Sequence, residues 1–155
     1  MTDTSTQCMT SAMLEVGSEL TKTLSFSREQ VAQYCALIGD YNAIHREAEA
    51  ARMRFPGVED IIVPGGLIQS TVSGFFGTEF PGDGAIGLSF VPERLRRPVC
   101  PDDKIRVNLV ITRIRGPILE ADITIDDSDG ERLTTARAKI LAPDDDYRAW
   151  WEARQ

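Results

Sequence analysis

The sequence predicts an α+β fold, an antiparallel sheet of about five strands wrapped around one central buried helix. Three observations predict it. The stretch Ile61 to Phe80, IIVPGGLIQSTVSGFFGTEF, carries no charge before Glu79, and a helix that is apolar or small on all sides belongs in an interior. The second half of the chain alternates apolar and polar residues in several runs separated by turn signals, as half-buried strands do. Finally, 155 residues with a hydrophobic fraction of 42% suit a single domain that buries a substantial core.

Residues 1–16 read as a polar N-terminal tail. They lack the basic start and apolar block of a secretory signal. The body of the domain is expected over 17–143. Within it SELTKTLSF, residues 18–26, alternates as a short strand. Ser27-Arg28-Glu29-Gln30 has the form of a capping box, and Val31, Ala32, Tyr34, Cys35 and Ile38 follow at helical spacing. Gly39 is placed to end that helix, so Asp40 emerges just past its C-terminus. Asn42 can cap a second helix running through EAEAARMRF to about residue 55, with His45 in or just before its first turn. Pro64-Gly65-Gly66 breaks the chain before the long uncharged helix. Two glycines inside that helix, Gly74 and Gly77, each weaken it by about 1 kcal/mol relative to alanine, so close packing must compensate.

After Pro81-Gly82-Asp83-Gly84 the chain turns to strands. Ala85–Val91 reads as one. Ile105, Val107, Leu109 and Ile111 alternate with Arg106, Asn108, Val110 and Thr112 in another, and residues 118–125 and 133–141 give two more, with Asp129-Gly130 as a hairpin signal. Residues 144–155, DDDYRAWWEARQ, read as a short helix with an acidic start. One sheet covers its helix on one side only, which makes a homodimer with two sheets joined edge to edge the expectation.

The net charge is −7, which argues against nucleic acid as a partner. No apolar run reaches the roughly 18–20 residues of a membrane span. Cys8, Cys35 and Cys100 are far apart and odd in number, so neither a disulfide framework nor a zinc site is suggested. The single histidine excludes a multi-histidine metal site, and no cofactor is expected. A reducing cytoplasm is the expected compartment. Arg94, Arg96 and Arg97 cluster in ERLRRPV and could hold a phosphate or simply form a solvated strand face.

Gly39-Asp40-Tyr41-Asn42-Ala43-Ile44-His45 resembles the GDxNPxH signature of the MaoC-like dehydratases and (R)-specific enoyl-CoA hydratases. VPGGLIQSTVSGFFGTEFPGDG resembles that family's HGM-containing helix and LPG turn, and LRRPVCPDD its F-x-x-P-V-x-x-G-D strand entry. The likeness runs from about residue 20 to 142. It implies a hot-dog fold, reversible syn addition of water to a trans-2-enoyl thioester, and an acyl-CoA or acyl carrier protein thioester as substrate. By the same resemblance Asp40 and His45 match the catalytic pair. Gly65 matches the glycine whose N–H holds the thioester carbonyl, Ser73 a serine on the central helix, and Asn42 the asparagine between the pair. Gly66 is grouped with the substrate contacts, and Arg94, Arg96, Arg97 and Arg115 are candidates for phosphates of the pantetheine carrier. The chain departs from the pattern at Pro64, where the family has histidine, at Ala43 in place of proline, and at Asp102 in place of glycine.

The chemistry needs these residue types. A carboxylate and an imidazole on either side of one water can act as general base and general acid, together contributing about 10²–10⁴-fold. A helix beginning at Gly65 would aim its free N–H groups and dipole at the developing enolate. Each residue also has a plainer reading. His45 could cap or pack, Asp40 could be a turn residue, Ser73 a small packing residue, and Gly65-Gly66 a turn. Besides a hydratase, the fold could serve as a dehydratase of a specialised polyketide-type chain, or as a non-catalytic subunit that binds acyl thioesters.

Overall fold

The computed structural model describes residues 5–155. Five strands form one antiparallel sheet: β1 (Glu19–Leu24), β2 (Ile86–Pro92), β3 (Ile105–Arg115), β4 (Ile118–Asp127) and β5 (Arg132–Leu141). Their order across the sheet is β1-β3-β4-β5-β2. Consecutive β3, β4 and β5 therefore make the centre, while β2 crosses to the far edge and pairs with β5. The alternation read in the sequence sets the faces. Ile105, Val107, Leu109 and Ile111 of β3, Leu119, Ala121, Ile123 and Ile125 of β4, and Leu133, Ala136, Ala138 and Ile140 of β5 all point into one core.

Four α-helices accompany the sheet: α1 (Arg28–Ile38), α2 (Ala48–Arg54), α3 (Gly65–Thr78) and α4 (Asp145–Glu152). The helix α3 lies against the core through Ile68, Val72 and Phe76. Its burial differs from the expectation of a helix enclosed on all sides, because Ser70, Ser73, Gly74 and Gly77 are exposed. A single sheet reaches only one face of a helix. A Cβ added at Gly74 or Gly77 would meet nothing within 4 Å, so the packing that should offset two helical glycines is not supplied by the described residues. The edge strand β2 is open too, with Ile86, Leu88 and Val91 each about half exposed or more.

The second predicted helix is broken in two. Asn42 caps a short 3-10 turn, Ala43–His45, and α2 starts only at Ala48. The reason lies in Ile44. Its carbonyl accepts the N–H of Ile62 at 2.9 Å and so is not used to carry an α-helix onward. At the opposite end of α3 the N-terminal segment is pinned. Cys8 bridges Gly82, Gln7 N–H donates to Thr78 O and Met9 N–H to Pro81 O. The helix α4 closes over this corner, with Arg148 donating to Cys8 O and Tyr147 OH to Asp83 Oδ1. No helix among the described residues is long and apolar enough to cross a membrane.

Candidate active site

The site is assembled from the two ends of α1 and the buried strap that precedes α3. The capping box at the start of α1 is complete: Ser27 Oγ accepts the Gln30 N–H and the Gln30 side chain accepts the Ser27 N–H. At the other end Gly39 takes a left-handed φ of +73°, and the N–H groups of Gly39 and Asp40 both reach Cys35 O. This Schellman-type stop turns the chain sharply and presents Asp40. Its Oδ1 accepts the Asn42 N–H at 3.0 Å, an Asx-turn contact that leaves Oδ2 facing away from the backbone.

Oδ2 of Asp40 faces Nε2 of His45 at 3.5 Å. The imidazole is 9% exposed and the carboxylate 33%, so the ring is nearly enclosed while the carboxylate keeps contact with solvent. Nδ1 of His45 lies 2.6 Å from Ile62 O. A carbonyl only accepts, which assigns the hydrogen to Nδ1. Nε2, the nitrogen facing Asp40, is then the one whose protonation can change. Behind the pair, burial and then the charge of Asp40 push the Cys35 thiol up, keeping it a neutral neighbour.

Ile61, Ile62 and Val63 form a buried extended strap that holds this geometry. Ile61 N–H donates to Asp60 Oδ1 at 2.7 Å, Ile62 N–H to Ile44 O and Val63 N–H to Val99 O at 2.7 Å. Three residues beyond Ile62 the strap becomes α3 at Gly65, within about 11 Å along the chain. The first N–H groups of α3 have no partner inside the helix. Gly65 is approached by Leu95 Cδ1, 3.4 Å from where a Cβ would stand. Gly66 is approached far more closely. The hydroxyl of Tyr34 overlaps the place of its missing Cβ, with Tyr34 Cζ at 3.4 Å from that point.

The remaining predicted site residues divide. Arg94 and Arg96 are exposed on either side of Leu95, so they border the start of α3. Arg97 turns instead to the β4–β5 hairpin, where Asp127 holds it at 2.7 Å and Glu131 at 3.2 Å. Arg115 ends β3, roughly 30 Å along that strand from its start beside the arginine cluster, and cannot join the others. Ser73 lies two turns beyond Gly65 and lines an open cleft of about 250 Å³ with Phe76, Leu88, Phe90 and Ile140. Neither Asp40 nor His45 lines that cleft. The turn at Asp102 keeps the conformation that glycine would favour, at φ +67°. Among the described residues no three His, Cys, Asp or Glu side chains converge as metal ligands would.

Sequence reasoning missed the supports of the pair. The Ile62 carbonyl is a backbone group, and no residue type advertises it. Asp60 and Tyr34 act through contacts 32 residues apart in the chain. The one available signal was the local oddity of a second glycine after Gly65.

Comparison with known proteins agrees with this architecture. Residues 11–123 match the model of the MaoC like domain. The (R)-specific enoyl-CoA hydratase of Aeromonas caviae is 32% identical over 142 residues, covering 87% of this chain and 100% of that protein. A mitochondrial 3-hydroxyacyl-[acyl-carrier-protein] dehydratase of Arabidopsis thaliana is 32% identical over 93 residues, 60% of this chain and 53% of that one. Among solved structures, the A. caviae (R)-hydratase superposes with a TM-score of 0.76 at 30% identity, over 84% of this chain and 98% of that one. An R-hydratase of Pseudomonas aeruginosa superposes with a TM-score of 0.81 at 26% identity, over 90% and 89%. With β1, β2, β3, α3 and the Asp40–His45 turn inside residues 11–123, the chain belongs to the MaoC-like dehydratase family and carries its hot-dog fold.

Proposed function

We propose that this chain is a hydro-lyase that reversibly hydrates a trans-2-enoyl thioester to the 3-hydroxyacyl thioester. The observation that carries the reading is the approach of Asp40 Oδ2 to His45 Nε2 at 3.5 Å, with Nδ1 committed to Ile62 O. A water held by this pair gives up one proton as its oxygen bonds to C3. The electrons of the C2=C3 bond pass into the thioester carbonyl, and the resulting enolate oxygen is held by the Gly65 N–H at the positive end of α3. The pair returns a proton to C2, on the face from which water added, and the carbonyl re-forms. Because Nδ1 is committed to Ile62 O, Nε2 is the nitrogen that exchanges the proton.

The thioester carrier would run past Leu95, where Arg94 and Arg96 are free of ion pairs among the described residues and suit phosphate oxygens. Coenzyme A and an acyl carrier protein share that phosphate chemistry. The likeness to a 3-hydroxyacyl-[acyl-carrier-protein] dehydratase favours a second reading in which the same residues run the reverse reaction on a carrier-bound chain. The open faces of α3 and β2 support a homodimer joined along β2.

The test is hydration of crotonyl-CoA and longer trans-2-enoyl-CoAs, followed by loss of the conjugated thioester absorbance. Asp40→Asn and His45→Ala should each fold and lower turnover by about 10²–10⁴-fold. Turnover unchanged in either variant rejects the mechanism. A wild-type protein that binds these esters without consuming them points to the non-catalytic reading.

A further inference from the structure

Resting on that reading, we propose that the Arg28–Asp60 ion pair is a positioning device for the imidazole of His45, acting through the Ile61–Val63 strap. Three backbone N–H groups hold the strap. Two of them end on other backbone carbonyls, Ile62 on Ile44 O and Val63 on Val99 O. The third, Ile61 N–H, ends on the Asp60 carboxylate. That carboxylate is the only side chain among the three acceptors, and it is gripped by the fork of Arg28, Nη2 on Oδ1 and Nε on Oδ2, the latter at 3.2 Å.

Arg28 is the first residue of α1 and Asp40 lies just past its last turn. One end of α1 therefore delivers the carboxylate of the pair. The other end clamps the strap whose Ile62 carbonyl receives Nδ1–H of His45. An 11-residue helix is a rod of about 16 Å, so the separation of Asp40 and His45 is set by a stiff element gripped at both ends. Bidentate arginine on a carboxylate fixes direction as well as distance, which a lone backbone bond would not. The Ile62 carbonyl in turn fixes the tautomer, as partners of the far ring nitrogen generally do. Releasing Asp60 would free the Ile61 end of the strap and leave the Ile62 carbonyl held only through the Ile44 and Val99 bonds, so that it loosens on Nδ1 and lets the ring change the nitrogen that carries its hydrogen.

The chain's single histidine makes the tautomer directly readable. In long-range ¹H–¹⁵N spectra of uniformly labelled protein, the wild type should show a protonated Nδ1 and a bare Nε2 in its neutral form. Asp60→Ala should move both ¹⁵N signals toward the average of the two tautomers. It should also lower kcat on the order of 10- to 100-fold, with KM changed by less than about twofold. Arg28→Met, which leaves the Asp60–Ile61 bond available, should move them in the same direction by less, and serves if Asp60→Ala fails to fold. A folded Asp60→Ala or Arg28→Met protein with wild-type ¹⁵N signals overturns the proposal, whatever its stability. If the signals move as stated but the wild type hydrates no enoyl thioester, the positioning role stands and the assigned reaction fails.

Discussion

Adding one methyl group at Gly66 should have opposite effects on the two sides of a single oxygen atom. The hydroxyl of Tyr34 overlaps the position that a Cβ at Gly66 would take, whereas the next ring atom, Cζ, is 3.4 Å away, an ordinary contact. In the wild-type background Gly66→Ala therefore drives the half-buried Tyr34 or the start of α3 aside. Overpacking of this kind costs about 1–3 kcal/mol, against a gain of about 0.5–1 kcal/mol for replacing glycine in a helix, leaving a net loss of roughly 1 kcal/mol. Removing the oxygen first, with Tyr34→Phe, leaves only the helical gain, so the same substitution should stabilise by about 0.5–1 kcal/mol. Urea denaturation of the wild type, both single variants and the double variant closes the cycle, with an expected coupling equal to the overpacking cost, about 1–3 kcal/mol. Turnover should follow, since a shift of about 1 Å at the start of α3 can cost up to 10²-fold and should be recovered in the double variant. Equal effects of Gly66→Ala in both backgrounds would refute the contact.

Two further outcomes follow from local geometry and charge. Asp102→Gly should raise stability by about 0.5–1 kcal/mol, seen as a higher urea midpoint, because Asp102 sits at φ +67°, where a side chain is disfavoured. For Asp60, burial alone would raise the carboxyl, but the Ile61 N–H and the Arg28 guanidinium outweigh it and hold it below its ordinary 3.8. Its contribution to stability is therefore complete above about pH 4 and is lost as the pH falls through the lowered folded value. Asp60→Asn should accordingly show a shallower acid limb when its urea midpoint is measured from pH 6 to pH 3, and an unchanged limb would contradict this.

The parts of the fold that were legible are those whose signal is local. The strand faces follow from alternation in β3, β4 and β5, and α1 from a capping box and a terminal glycine, because each pattern is complete within a dozen residues. The interruption between His45 and Ala48 was not legible, since nothing in EAEAARMRF reveals that Ile44 will give its carbonyl to Ile62. Asp40 and His45 were legible as a pair because a turn brings neighbours in sequence together. Their supports were not, for a backbone carbonyl has no residue identity and the Arg28–Asp60 fork joins residues 32 positions apart. Arg97 and Arg115 illustrate the converse. Charge grouped them with Arg94 and Arg96, whereas ion pairs with Asp127 and Glu131 turn Arg97 to a hairpin and the register of β3 carries Arg115 to its far end.

The vacant methyl sites along the outer side of α3 bear on any effort to toughen this protein against heat. Alanine at Gly74 or Gly77 meets no obstacle in the lone protomer and favours the helix by about 1 kcal/mol each. A screen that rewards only the melting point of isolated chains would fill both early. If the proposed homodimer seats a neighbouring backbone on this side of α3, the same two methyl groups would hold it away, and selection for hardiness and selection for assembly would then pull these positions in opposite directions.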